Sequence, residues 1–95
     1  MILWIDDLRQ PPYGNYYWAK SVNEAKTAIA QIQFEYIDID HDAGDYSSDG
    51  GDYIRLLDWM EENLIYLPIH IHSMNIVGCQ NMRRIIERNH WKEIF

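Results

Sequence analysis

The stretch that decides the fold is Met1-Ile-Leu-Trp-Ile-Asp-Asp7 (MILWIDD). A short unbroken apolar run closed by acids is the pattern of a strand buried on both faces, as in parallel sheets. Two further core strands follow at Tyr36 to Asp40 (YIDID) and Pro68 to Ser73 (PIHIHS). The second opens on a proline, which a strand tolerates at its first residue. Working outward, Gln10 to Asn15 (QPPYGN) is a loop, since two prolines and a glycine forbid regular structure there. Tyr16 to Ala19 reads as a brief strand. Ser21-Val-Asn-Glu24 has the form of a capping box and opens a helix of about three turns, with Val22, Ala25, Ile29 and Ile32 on its inner side. Gly50-Gly51 precede an amphipathic segment through Tyr53, Ile54, Leu57 and Met60. Met74 to Gly78 reads as a loop and Gln80 to Trp91 as the last helix. Strands alternating with helices predict an α/β fold with a parallel sheet and right-handed crossovers.

The chain has 95 residues, which corresponds to one domain over 1–95. Hydrophobic residues at 47% and charged residues at 24% are globular averages and exclude a disordered chain. No apolar run approaches the roughly 20 residues of a membrane span, and no basic-then-apolar leader opens the chain. The single cysteine, Cys79, excludes an internal disulfide and a cysteine-based zinc site, so the expected location is a reducing cytoplasm. Fifteen acids against eight bases give a net charge of −7, which argues against a broad grip on nucleic acid. The acids are unevenly placed: Asp38, Asp40, Asp42, Asp45, Asp49, Asp52, Asp58, Glu61 and Glu62 lie in one segment with Arg55 as its only base. Arg84, Arg88 and Lys92 share a helix face at four-residue steps, the pattern of a solvated stripe.

In open parallel sheets the ligand site lies beyond the carboxyl ends of the strands. Here those ends read Asp6-Asp7-Leu8-Arg9, then Asp40-His41-Asp42, then His72-Ser73-Met74-Asn75. Asp6, Asp7, Asp40 and Asp42 place up to four carboxylates in one crevice, a set that repels itself unless a cation, a proton or Arg9 relieves it. Hard divalent cations such as Mg²⁺ or Mn²⁺ prefer carboxylate oxygens and suit this set. His41 and His72, beside carboxylates at strand ends, suit general acid or base work because imidazole titrates near neutral pH. His70 lies deeper in its strand and reads as a packed histidine. Ser73 suits a phosphate hydrogen-bond donor, and Gly78 with the amides opening the last helix suits an anion. Cys79 reads as a packing residue. The tryptophans Trp4, Trp18, Trp59 and Trp91 read as core filling, whereas Tyr13, Tyr16 and Tyr17 are candidates for base stacking.

An apolar strand ending in an acidic pair, a Ser-Val-x-Glu-Ala helix start, a strand ending in Asp and a strand ending in Ser resemble the receiver domain of response regulators. The chain resembles more closely the compact receiver-like family called the cyclic-phosphate processing receiver domain. The residues that carry this resemblance are Leu3-Trp4-Ile5-Asp6-Asp7-Leu8-Arg9, Ile39-Asp40-His41-Asp42 and His72-Ser73-Met74-Asn75 to Gly78. The resemblance implies a flavodoxin-like three-layer sandwich with about four strands in the order 2-1-3-4. Relative to response regulators, the first crossover helix is replaced by Leu8 to Asn15, and the fifth strand and its phosphate-neutralising lysine are missing.

The function this implies is metal-dependent processing of a cyclic phosphate on a nucleotide or at an RNA end. Asp6, Asp7 and Asp40 or Asp42 would hold Mg²⁺ or Mn²⁺, and Arg9 would anchor the phosphate. His72 or His41 would protonate the leaving oxygen, while Ser73 and Asn75 fix phosphoryl oxygens. Asp40, His41, His72 and Arg9 are thus the candidate catalytic residues. The alternative is a non-catalytic receiver-like module that binds a phospho-ligand or a partner and signals by conformation. An open sheet edge would also allow a dimer or a partner protein to dock.

Overall fold

The structure, a computed structural model, describes residues 1–12 and 14–95. Five strands and three helices follow in the order β1 (Ile2–Ile5), β2 (Tyr16–Ala19), α1 (Val22–Gln31), β3 (Ile37–Ile39), α2 (Ile54–Glu62), β4 (Ile69–Ile71), α3 (Ile76–Arg88) and β5 (Glu93–Ile94). A 3-10 helix (Gly44–Ser48) lies between β3 and α2. The strands form one wholly parallel sheet in the order β2-β1-β3-β4-β5. The receiver-like parallel α/β architecture is therefore present, with two differences of detail from the sequence reading.

The first difference is the fifth strand. Glu93 and Ile94 pair with Ile69 and His70, so the sheet has five strands rather than four. At two residues, β5 is too short to leave a periodic signal. Lys92 does not take the place of the receiver lysine: its carbonyl accepts the amide of Ile69, which puts it at the amino end of the sheet, away from the carboxylates.

The second difference concerns layers. Each helix leads to a strand lying further along the sheet in the same direction, so right-handed crossovers put all three helices on one face. The core agrees. Leu3, Ile5, Ile37, Ile39 and Ile69 are fully buried against residues of all three helices, among them Val22, Leu56, Leu57, Met60 and Met82. Among the described residues the opposite face has no helix, which makes two layers where three were expected. Its middle row runs Trp18, Trp4, Asp38, His70 and Ile94 across the five strands. The loop that replaces the missing crossover helix folds back instead: the Trp4 indole donates to the carbonyl of Arg9 at 2.8 Å, and the amide of Ile2 donates to the carbonyl of Asn15 at 3.2 Å.

Helix starts follow their caps. The Ser21 hydroxyl accepts the amide of Glu24 at 3.0 Å, as the capping-box pattern predicts. Helix α3 begins at Ile76, earlier than the Gln80 start read from the sequence, because Asn75 caps it by accepting the amide of Gly78 at 2.9 Å. Among the described residues no helix is long and apolar enough to cross a membrane.

Candidate functional site at the carboxyl edge of the sheet

The topology brings the three polar strand ends together, since β1, β3 and β4 are neighbours in the sheet. Asp6, Asp7 and Asp40 each offer a carboxylate oxygen, all within 4.8 Å of one another. Asp6 and Asp40 are buried; Asp7 is half-buried. Asp7 lies against bare backbone: a Cβ at Gly44, whose φ is +55°, would fall 2.3 Å from its Oδ2. Burial, followed by the charges of Asp6 and Asp40, raises the pKa of Asp7 above the ordinary carboxylate range. The donor set is all hard oxygen and its repulsion falls on Asp7, so these residues fit a small divalent cation. Asp42 stands apart from the three, grouped with His41 and Asp52.

Asp6 is the most restrained of the carboxylates. Its Oδ1 accepts the amides of Leu8 at 3.0 Å and Arg9 at 2.9 Å; its Oδ2 faces His72 Nε2 at 3.0 Å and Arg9 Nε at 3.5 Å. Burial opposes its charge, but the amides of Arg9 and Leu8 together with His72 outweigh it, and the pKa falls below the usual value. His72 has both nitrogens engaged, with Nδ1 2.6 Å from Asp38 Oδ1, and its ring stacks on Trp4 at 4.0 Å and 6°. The guanidinium of Arg9 remains largely exposed.

His41 is placed differently. Its Nδ1 lies 2.9 Å from Asp42 Oδ1, and Asp42 also accepts from the Asn75 amide nitrogen at 3.2 Å. The hydrogen bond from His41 is the main cause of a lowered pKa at Asp42, with burial opposing and Asn75 assisting. The ring lies on the first turn of α3, where a Cβ at Gly78 would come within 2.4 Å of its Cγ. The arrangement is an oriented Asp–His dyad. With Nδ1 donating to Asp42, Nε2 is left as the proton-accepting atom.

Asn75 and Gly78, read from the sequence as phosphate contacts, are thus engaged in building the dyad and capping α3. The Ser73 hydroxyl accepts the amide of Asn75 at 3.2 Å and keeps its own proton to donate. Cys79 is buried with its thiol 3.7 Å from the carbonyl of Ser73, a packing residue as expected. Tyr17 packs on the core, edge-on to Phe34, rather than toward the site. Tyr16 meets Trp4 edge-on, and Tyr13 lies outside the described residues.

Sequence reasoning missed Asp38. It is buried in the middle of β3 and its Oδ1 receives both His72 Nδ1 and His70 Nδ1, the latter at 2.8 Å. Burial raises its pKa, and the two histidines together overcome that and lower it. The available signal was the period-two register of YIDID against HIH, which puts Asp38 and His70 opposite each other. Two clefts lie elsewhere, one of about 400 Å³ beside Ile32, Phe34 and Ile65 and one of about 330 Å³ beside Lys26, Arg55 and Trp59. Neither touches the strand-end carboxylates or histidines, so the chemistry and not the cavity volume locates the site.

No curated protein and no solved structure matches the chain. One family model does match, over residues 1–88, and it spans all three strand ends. The chain belongs to the family of the cyclic-phosphate processing receiver domain.

Proposed function

We propose that this receiver domain hydrolyses a cyclic phosphate on a nucleotide or RNA end with the help of a divalent cation. The observation that carries the reading is the juxtaposition, at Asp40 and His41, of a three-carboxylate cluster with an oriented Asp–His dyad. Asp6, Asp7 and Asp40 would hold Mg²⁺ or Mn²⁺. When bound, such an ion neutralises phosphoryl charge and lowers the pKa of water.

The chain's own residues divide the remaining work. The Arg9 guanidinium, exposed beside Asp6, pairs with phosphoryl oxygens in the bidentate geometry open to arginine. The Ser73 hydroxyl donates a further hydrogen bond. His41 Nε2 takes a proton from the attacking water as its oxygen bonds to phosphorus. One ring P–O bond breaks, and His41 returns the proton to the departing sugar oxygen, leaving a phosphomonoester. Asp42 holds the imidazole with Nδ1 protonated throughout. His72, with both nitrogens turned to carboxylates, supports the cluster rather than the leaving group.

The test is phosphorus NMR of a nucleoside 2′,3′-cyclic phosphate incubated with purified protein and Mg²⁺ or Mn²⁺. Ring opening is expected, reduced by about 10²-fold or more in His41→Ala and abolished in Asp40→Asn. Absence of ring opening with either ion, or full activity in both variants, sinks the proposal.

A further inference from the structure

The face without a helix carries a buried charged chain that the reaction does not itself require. Asp38 Oδ1 faces His72 Nδ1 at 2.6 Å, and His72 Nε2 faces Asp6 Oδ2 at 3.0 Å. His72 is clamped between carboxylates at its two ends and the indole of Trp4 on its flat side. The other oxygen of Asp6 is fixed by the amides of Leu8 and Arg9. The ring beside Asp6 is thus held in place and orientation by Asp38 on one side and Trp4 on its face.

We infer that Asp38 is a positioning residue: acting through His72, it fixes the Asp6 carboxylate at the site. This rests on the reading above of Asp6 as a cation ligand. The chemistry is that of an outer-shell partner. A carboxylate that must meet a cation in one orientation gains from a rigid donor behind it, and loss of such a donor costs about 10–100-fold in metal affinity or activity. His70 is a second donor to the same oxygen of Asp38, at 2.8 Å, and does not itself contact Asp6.

The experiment uses the ¹⁵N-labelled full chain, first without added metal. Long-range ¹⁵N–¹H spectra of the wild type are expected to show His72 carrying a proton on Nδ1, the nitrogen that meets Asp38. In Asp38→Asn, which keeps size and shape, the carboxylate that meets His72 Nδ1 is lost and the amides of Leu8 and Arg9 shift, because they report on Asp6 from more than 25 residues away in sequence. Mn²⁺ titration of the same variant is expected to show affinity weakened by about 10–100-fold. His70→Asn is expected to leave the His72 pattern in place. Should Asp38→Asn fail to fold, His72→Gln carries the same test, since it cuts the same chain and predicts the same movement at Leu8 and Arg9. Amides that stay in place in a folded variant, or a wild-type His72 with no proton on Nδ1, overturn the assignment of Asp38. Wild-type protein that binds no Mn²⁺ overturns instead the cation reading on which the proposed function stands.

Discussion

At the scale of single residues, Gly78 shows how closely the dyad is packed. A helix ordinarily gains about 0.5–1 kcal/mol when glycine becomes alanine. Here the new methyl would lie 2.4 Å from His41 Cγ and 2.5 Å from Cδ2, at the base of a ring that Asp42 holds by its Nδ1. Overpacking of that kind costs about 1–3 kcal/mol, so displacement of His41 outweighs the helix gain. Gly78→Ala is therefore expected to lower cyclic-phosphate turnover at least tenfold, with a loss of stability of no more than about 2 kcal/mol by urea unfolding. Gly14→Ala, with nothing within 4 Å of its Cβ, is the control and should leave both unchanged. Turnover at the wild-type level in Gly78→Ala would show that His41 does not act from this position. Which aspartates end the strands was legible in the sequence, because acids after apolar runs stand out. Asp38 was not, because an acid inside a strand shows its role only when the facing strand supplies partners. Those partners, His70 and His72, lie 32 and 34 residues away.

At the scale of elements, the start of α3 joins stability to the site. Asn75 Oδ1 caps the helix through the amide of Gly78, while its Nδ2 donates to Asp42. One side chain thus satisfies a helix end and holds the dyad's carboxylate. Removing a cap costs about 1 kcal/mol, and in a domain this small that lowers Tm by about 4–8 °C. Asn75→Ala is expected to show this drop together with reduced turnover. Asn75→Ser keeps an oxygen for the cap and loses the donor to Asp42, so it should melt close to wild type yet turn over as poorly as Asn75→Ala. Thermal unfolding and initial rates on the pair separate the two duties, and a fully active serine variant would remove Asn75 from the site. The sequence placed this helix start too late because Met74, Ile76 and Val77 are exposed apolar residues and hide the amphipathic pattern there. The fifth strand escaped for a related reason. Its two residues pair only because α3 delivers the chain beside β4, with Arg83 Nε meeting the Glu93 carboxylate at 2.8 Å.

At the scale of the whole molecule, losing the first crossover helix changes more than the count of elements. The rule that both faces of a parallel sheet are covered rests on crossovers running in both directions. Here all three run one way, and the second face is covered by side-chain pairing and a returning loop. Charge is distributed just as unevenly. The segment from Asp38 to Glu62 has nine acids against one base, a net −8 that exceeds the −7 of the whole chain, while the basic residues of α3 are partly spent. Arg88 forks onto Glu61 at 2.8 and 2.9 Å, and Arg83 pairs with Glu93. Little cationic surface is left to follow a nucleic-acid backbone, whereas Arg9 stands exposed beside the strand-end carboxylates. Binding should therefore be confined to one terminal phosphate. In the presence of Mg²⁺, the affinity of cyclic-phosphate-ended oligonucleotides is expected to match that of the mononucleotide within about threefold as length grows. The slope of log K against log salt should stay near the roughly −0.7 of a single neutralised phosphate on a single strand. Fluorescence anisotropy over a series of lengths and salt concentrations measures both. A slope that steepens with length would mean that the protein tracks the backbone, and that its acidity is overridden by a basic path along its surface.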